Sequence, residues 1–274
     1  MIPVETAYID VEYRKARNLD HAFELFQQGD KDFRYSVAWI DCLAHGDALG
    51  RCVLMRGNHA TAGQIPARLR RLPLQIKRKR LKSVPFNFPS FVLNSWSVRA
   101  FNELYYRRHG DARKIVDYNS FFYPLDGITH WNRMYGRRGF VQYQALFPPE
   151  SSASGMRALI ELIAASRMAS FLAVLKSTGA ANDGLLSFPK PGHTLALDLP
   201  NQGGRLLDLL TRLDALVLQH GGRLYLAKDA TMSAETFAQM YPRLREFQAL
   251  RKRIDPDGRW SSAQAARLHI VEPA

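Results

Sequence analysis

The chain is poor in the signatures of several common chemistries. Cys42 and Cys52 are its only cysteines in 274 residues, and they have no C-x-x-C spacing. That excludes a disulfide framework and leaves two free, buried thiols as the expectation. No apolar run approaches the roughly 18 residues of a spanning helix. Residues 1–18 also lack the apolar core and cleavage pattern of a signal peptide. No G-x-G-x-x-G follows a strand, and G-x-x-x-x-G-K-S/T, H-E-x-x-H and G-x-S-x-G are all missing. The eight histidines are scattered, with no pair at metal-ligand spacing beside a carboxylate, so they read as surface or loop residues. Neither internal repeats nor low-complexity tracts are present.

Acidic residues are scarce as well: 25 Asp and Glu face 38 Lys and Arg, for a net charge of +13. Much of the excess is local, in Arg68, Arg70, Arg71, Lys77, Arg78, Lys79, Arg80 and Lys82, between Pro66 and Pro85 with Pro73 inside. A continuous helix is excluded there by the prolines. Such a loop can dock on anionic lipid headgroups or a phosphate-bearing substrate, or it can be a solvated loop with no partner. No zinc-finger spacing, RNA-binding aromatic signature or recognition helix accompanies it, so nucleic acid is not expected.

What is present is an alternation of strand and helix patterns. Strands are expected at 7–11, 35–41 and 51–55, with a helix at 19–27 capped by Asn18. Residues 60–102, rich in proline, basic residues and aromatics, read as a long irregular excursion. Further on, strands at 140–147, 171–176, 194–199 and 223–225 alternate with helices at 155–167 and 204–219. That order, βαββαβ, predicts an α+β fold: an antiparallel sheet flanked by helices in a split βαβ arrangement. A helical C-terminal segment is expected at 234–241, 244–252 and 262–268, interrupted by Pro242 and Pro256. Asp255, Asp257, Glu235 and Glu246 fall on helices or turns, where capping and solvation explain them.

Chemistry therefore has to be sought among polar residues at strand positions. The stretch 122–144 is dense in rings and amides, and in its closing strand Gln142 and Gln144 share one face while Val141 and Tyr143 share the other. Two amides ringed by aromatics suit a sugar or another polyol. Lys176 ends one expected strand, and Lys228 lies just past Tyr225 at the end of another. Lys228 has two readings: a strand-end lysine paired with Asp229, or a semi-buried lysine that binds a hydroxyl or phosphate, or acts as a base.

In order and spacing, a series of short motifs makes the chain recognisable. They include Tyr35-Ser36-Val37-Ala38-Trp39, Leu49-Gly50-Arg51, Glu103-Leu104-Tyr105-Tyr106-Arg107, Tyr123-Pro124-Leu125-Asp126 and Trp131-Asn132-Arg133. The series continues through Tyr135-Gly136, 140–144, Leu186-Ser187-Phe188-Pro189, 221–229, Ala234-Glu235-Thr236-Phe237 and Met240-Tyr241-Pro242-Arg243. Over nearly its whole length the chain resembles the FAD-linked oxidoreductases of the vanillyl-alcohol-oxidase type, and among them the polyprenyl-phosphoryl-ribose oxidases. The resemblance places the family's pocket glutamines on Gln142 and Gln144, its strand lysine on Lys176, and its flavin- and substrate-contacting tyrosine and lysine on Tyr225 and Lys228. It therefore favours the second reading of Lys228. Departures fall at Thr194 and Ala196, where the family has Asn and Cys, at Thr178, where it has an aromatic, and at Phe122, where it has Tyr.

The resemblance further implies that residues 1–15 are the end of an FAD-binding domain, 16–222 a substrate (cap) domain, and 223–274 a segment packing on the FAD domain. FAD would be bound mainly by an N-terminal domain absent from this chain. The implied activity is oxidation of a sugar hydroxyl on a polyprenyl-phosphate sugar. An aldonolactone of the D-arabinono-1,4-lactone type is the alternative substrate, because 255–259 (Asp-Pro-x-Gly-Arg) is shared with those oxidases. A non-catalytic fragment or binding subunit is the third reading. Lys228 and Tyr225 would be catalytic and touch the flavin, while Gln142, Gln144, Lys176, Phe122, Thr194 and Ala196 would line the substrate site. An NAD-dependent reductase is the implied partner. The implied location is cytoplasmic, with peripheral contact at the inner membrane through Arg68 to Lys82.

Overall fold

Residues 3–77, 80–89, 91–168, 170 and 172–271 are described by the computed structural model of the protein. Arg78 and Lys79 of the basic run and Phe171 of an expected strand lie outside them. Contacts divide the chain into two units, Met1–Gly139 and Phe140–Ala274. This division reflects contacts within the chain and does not bear on the boundaries expected at 15/16 and 222/223.

In the first unit, β1 (Tyr8–Ala16) is followed by α1 (Leu19–Gly29), β2 (Tyr35–Ile40) and β3 (Cys52–His59). The order continues with α2 (Ala67–Arg70), β4 (Lys82–Ser83), α3 (Ser95–Arg108), β5 (Ala112–Asp117), α4 (Tyr118–Phe122) and β6 (Ile128–Thr129). The strands β2, β3, β1 and β5 lie side by side and antiparallel, and β4 pairs with β6 in parallel. Asn18 caps α1 by accepting from the His21 N–H, and the helix buries Leu19, Ala22, Phe23, Leu25 and Phe26.

The irregular excursion expected over 60–102 needs correcting at its end, where α3 begins at Ser95. Asn94 and Ser97 form a capping box there, each side chain accepting from the other's backbone N–H. Several residues that carried the resemblance meet around this helix. Arg51 bridges the buried Asp41 at 2.8 Å and Glu103 at 2.7 Å, Asn102 donates to Asp41 at 2.7 Å, and the Trp39 ring lies 4.4 Å from that of Tyr105. In this unit the motif residues thus hold α3 against the strand ends. Both cysteines are free and buried, and burial pushes their thiols up, Cys52 to about 12.

The second unit runs β7 (Phe140–Phe147), α5 (Ser152–Ser166), β8 (Ala173–Thr178), β9 (Gly192–Pro200), α6 (Gly204–Gln219) and β10 (Arg223–Leu224). Strand order β10-β7-β9-β8, with every pairing antiparallel, is the split βαβ arrangement the sequence predicts. The tail forms α7 (Ala234–Met240), α8 (Leu244–Ile254) and α9 (Ala263–Arg267).

One sheet face is apolar and carries the helices. Tyr143, Ala145 and Phe147 of β7 are buried along with Met156, Leu159, Ile160 and Ile163 of α5 and Leu206, Leu209, Leu210, Leu213 and Val217 of α6. Close approach fixes two glycines here. A Cβ on Gly192, whose φ is +142°, would lie 2.0 Å from the Phe147 carbonyl oxygen, and one on Gly155 would lie 2.6 Å from the Phe147 ring. Because side chains alternate along a strand, the even-numbered residues of β7 project to the other face.

Candidate functional site

Register decides what gathers on that second face. Gln142 lies opposite Asp198, Gln144 opposite Ala196, and Lys176 opposite Thr194, so residues from three strands project together. Gln144 Nε2 donates to Thr194 Oγ1 at 3.1 Å, and that hydroxyl donates to the Ala145 carbonyl at 2.8 Å. Gln142 Nε2 donates to Asp198 Oδ1 at 2.9 Å.

The chain returns to this face after β10. The Tyr225 N–H donates to the Gln144 carbonyl at 2.9 Å, and the Tyr225 ring packs on Phe188 at 4.6 Å between centroids. A single 3₁₀ turn, Leu226–Lys228, then follows. Lys228 is half-buried. Burial lowers its pKa, Asp198 opposes that shift, and Lys176 adds to it, so the three charges act on one another. Burial likewise pushes the Asp198 carboxyl up, against the Gln142 hydrogen bond and the Lys228 charge.

Lys228 does not pair with Asp229. Among the described residues no carboxylate forms an ion pair with Lys228, and Asp229 is committed elsewhere. Its Oδ2 bridges Arg267 of α9 at 2.7 Å, and its Oδ1 accepts from the N–H groups of Thr231 and Met232 at 3.1 and 2.9 Å. Gln264, also on α9, donates to the Leu226 carbonyl at 2.7 Å. The turn that presents Lys228 is therefore fastened from the C-terminal segment. Arg267→Ala leaves the buried Asp229 charge short of its cation, at a cost of about 3 kcal/mol. Thermal unfolding should show a midpoint lowered by about 10 °C.

Of the eight residues expected to line a site, Gln142, Gln144, Lys176, Thr194, Ala196, Tyr225 and Lys228 all belong to the second unit. Lys176 is exposed, and β8 continues past it to Thr178. Phe122 belongs to the first unit, at the end of α4, with its ring edge-on to Tyr35 at 4.8 Å and to Phe121 at 4.9 Å. Asp198 is the residue that sequence reading misses. In Thr194-Leu195-Ala196-Leu197-Asp198-Leu199 it continues a plain alternation and reads as a solvated strand end, yet it is 3% exposed. The available signal was its spacing of four from Thr194, which puts both on one face.

On the helix face, Tyr143 donates through its hydroxyl to Asp214 of α6 at 3.0 Å. Burial raises the Asp214 carboxyl to about 7, and raises the Tyr143 phenol well above its ordinary range.

The chain is similar to decaprenylphosphoryl-beta-D-ribose oxidase of Mycolicibacterium smegmatis: 38% identical over 273 residues, covering 99% of this chain and 59% of that protein. It is also 31% identical, over 275 residues, to an uncharacterized protein in the mprA 5' region of Streptomyces coelicolor, covering 98% of this chain and 74% of that protein. The D-arabinono-1,4-lactone oxidase family matches residues 202–268, from the loop before α6 through α9. The chain thus spans about three-fifths of the length of the mycobacterial relative. Among solved structures, xylooligosaccharide oxidase from Myceliophthora thermophila with xylobiose aligns at TM-score 0.49 and 9% identity, covering 92% of this chain and 54% of that one. For 4-ethylphenol oxidase from Gulosibacter chungangensis the values are 0.48, 11%, 94% and 53%. No helix among the described residues is long and apolar enough to cross a membrane.

Proposed function

We propose that this chain supplies the substrate-binding face of an FAD-dependent oxidoreductase that oxidises a sugar hydroxyl, with a polyprenyl-phosphoryl-ribose-like molecule as substrate. One observation carries the reading: Gln142, Gln144, Thr194, Asp198 and Lys228 converge on one face of the sheet, with donors, acceptors and a cation together. That set matches the hydroxyls and phosphate of a glycosyl phosphate, and it also fits the polar edge of a flavin ring, which Lys228 and Tyr225 would hold. When bound, FAD supplies the two-electron acceptor. Lys228 binds the hydroxyl at the reacting carbon and polarises its oxygen. Gln142 and Gln144 orient the neighbouring hydroxyls, and Lys176, at the exposed edge, offsets the phosphate. A keto product would pass to an NAD-dependent reductase.

The match to the D-arabinono-1,4-lactone oxidase family over 202–268 favours an aldonolactone as the second reading. Turnover of a short-chain polyprenyl-phosphoryl ribose and of D-arabinono-1,4-lactone should be measured with FAD and a dye acceptor. The chain should be tested alone and joined to the remaining portion of the mycobacterial relative. Turnover of the lactone alone favours the second reading, and turnover of neither removes both.

A lipid-linked substrate lies at a membrane surface, and the first unit offers a contact for one. Leu72, Leu74 and Leu81, 55–63% exposed, interleave with Arg70, Arg71, Lys77, Arg80 and Lys82. Pro73 and Gln75 are anchored by hydrogen bonds from the Ala7 N–H and the Tyr8 hydroxyl, so the leucines are held outward. Basic and apolar side chains together suit anionic headgroups. Co-sedimentation with anionic vesicles should exceed that with neutral ones and fall severalfold when Lys77, Arg80 and Lys82 become Gln. Binding unchanged by those substitutions would remove the membrane contact.

A further inference from the structure

Asp198 has one oxygen in use and one idle. Oδ1 accepts from Gln142, whereas Oδ2 is buried and, among the described residues, accepts no hydrogen bond. A buried acceptor without a donor costs about 1–3 kcal/mol, and such groups in folded proteins call for an explanation. The backbone around it is fully committed: the Asp198 N–H is shared between the Leu172 carbonyl and Ser170 Oγ, both at 3.2 Å, and β9 is paired on both sides. Asp198 therefore cannot swing out to water without breaking its bond to Gln142.

Its electrostatic counterpart is Lys228, which bears on Asp198 without forming an ion pair of 4.0 Å or less. Among the described residues the carboxylate oxygen lacks a donor and the ammonium has no carboxylate in ion-pair range, and one group that is donor and acceptor at once would satisfy both. A hydroxyl is such a group: its O–H can donate to Oδ2 while its oxygen accepts from Nζ. We propose that Asp198 is the acceptor for a ligand hydroxyl whose oxygen is held by Lys228, which makes this pair the point where the face recognises an alcohol. The proposal rests on the sugar-binding reading above and deepens it: it assigns a residue and specifies a hydroxyl, beyond the phosphate.

Two probes separate these roles. Ribose 5-phosphate carries hydroxyls and a phosphate; inorganic phosphate carries only the latter. Affinities for both should be measured by calorimetry or NMR titration for the 274-residue chain, Asp198→Asn and Lys228→Gln. Asp198→Asn keeps the Gln142 bond through its amide oxygen but places an NH₂ where Oδ2 stood. It should weaken ribose 5-phosphate about tenfold, equivalent to one charge-assisted hydrogen bond, while leaving phosphate unchanged or tighter. Lys228→Gln should weaken ribose 5-phosphate severalfold more than inorganic phosphate, and serves as the second test if Asp198→Asn shows an altered thermal midpoint. Ribose 5-phosphate binding that survives Asp198→Asn, or survives Lys228→Gln, overturns the assignment alone. Failure of the wild-type chain to bind ribose 5-phosphate overturns the sugar reading and the assignment with it.

Discussion

Lys228→Met is expected to abolish most of the activity while leaving the protein as stable as before or more so. Removing a preorganised cation from a reacting oxygen typically lowers turnover by about 10²–10³-fold. The stability side follows from the sign of the pKa shift. Burial lowers the Lys228 pKa, so the fold disfavours its charged form. A methionine of similar reach removes that penalty and keeps the aliphatic contacts. The side chain is only half-buried, so the gain should be small. Turnover and thermal midpoint measured on one preparation check both: a large loss of activity with a preserved midpoint supports a functional lysine, whereas a parallel fall in both would make it structural. Burial of a costly charge without an ion-pair partner is the pattern expected where stability has been given up for function.

The second large effect is a pH dependence of stability set by Asp214. Its carboxyl titrates near 7 in the folded chain and at an ordinary carboxylate value when unfolded, because α6 carries it into the sheet face beneath Tyr143. Between about pH 4 and 7 the unfolded chain releases this proton while the folded chain keeps it. Stability therefore falls as pH rises through that window, by up to about 4 kcal/mol for a shift of this size. Asp214→Asn retains an acceptor for the Tyr143 hydroxyl and has no proton to lose. At pH 4 it should match the wild type within about 1 kcal/mol; at pH 8 it should be the more stable protein by several kcal/mol. Denaturant unfolding at both pH values is the check, and equal pH slopes for the two proteins would show that Asp214 ionises freely in the fold.

Much of the second unit was legible in the sequence because each element announced itself. Strand 140–147 and helix 204–219 emerge from periodicity with the bounds the structure gives them, and the βαββαβ order leads directly to the antiparallel sheet. Helix α3 was hidden because the basic, proline-rich run before it reads as a continuous loop, although Asn94 and Ser97 announce a cap. Asp214 could have been noticed: it lies between Leu213 and Val217 on a stripe otherwise made of leucine and valine. Asp198 could not be weighted properly, because its importance depends on register with Gln142 and on burial, and both are tertiary. The role proposed for Lys228 was legible only through the resemblance. Its neighbour Asp229 looked like the obvious partner until the fold gave Asp229 to Arg267, 38 residues away in sequence.

Whether this chain carries the substrate face of an FAD-linked oxidase can be read by mixing it, anaerobically, with FAD and the remaining portion of the mycobacterial relative, adding a short-chain polyprenyl-phosphoryl ribose, and following the flavin absorbance. Loss of the oxidised-flavin band is expected with the wild-type chain, and little change with Lys228→Met. A band that persists with the wild-type chain, or that is lost equally when the chain is left out, would contradict that role.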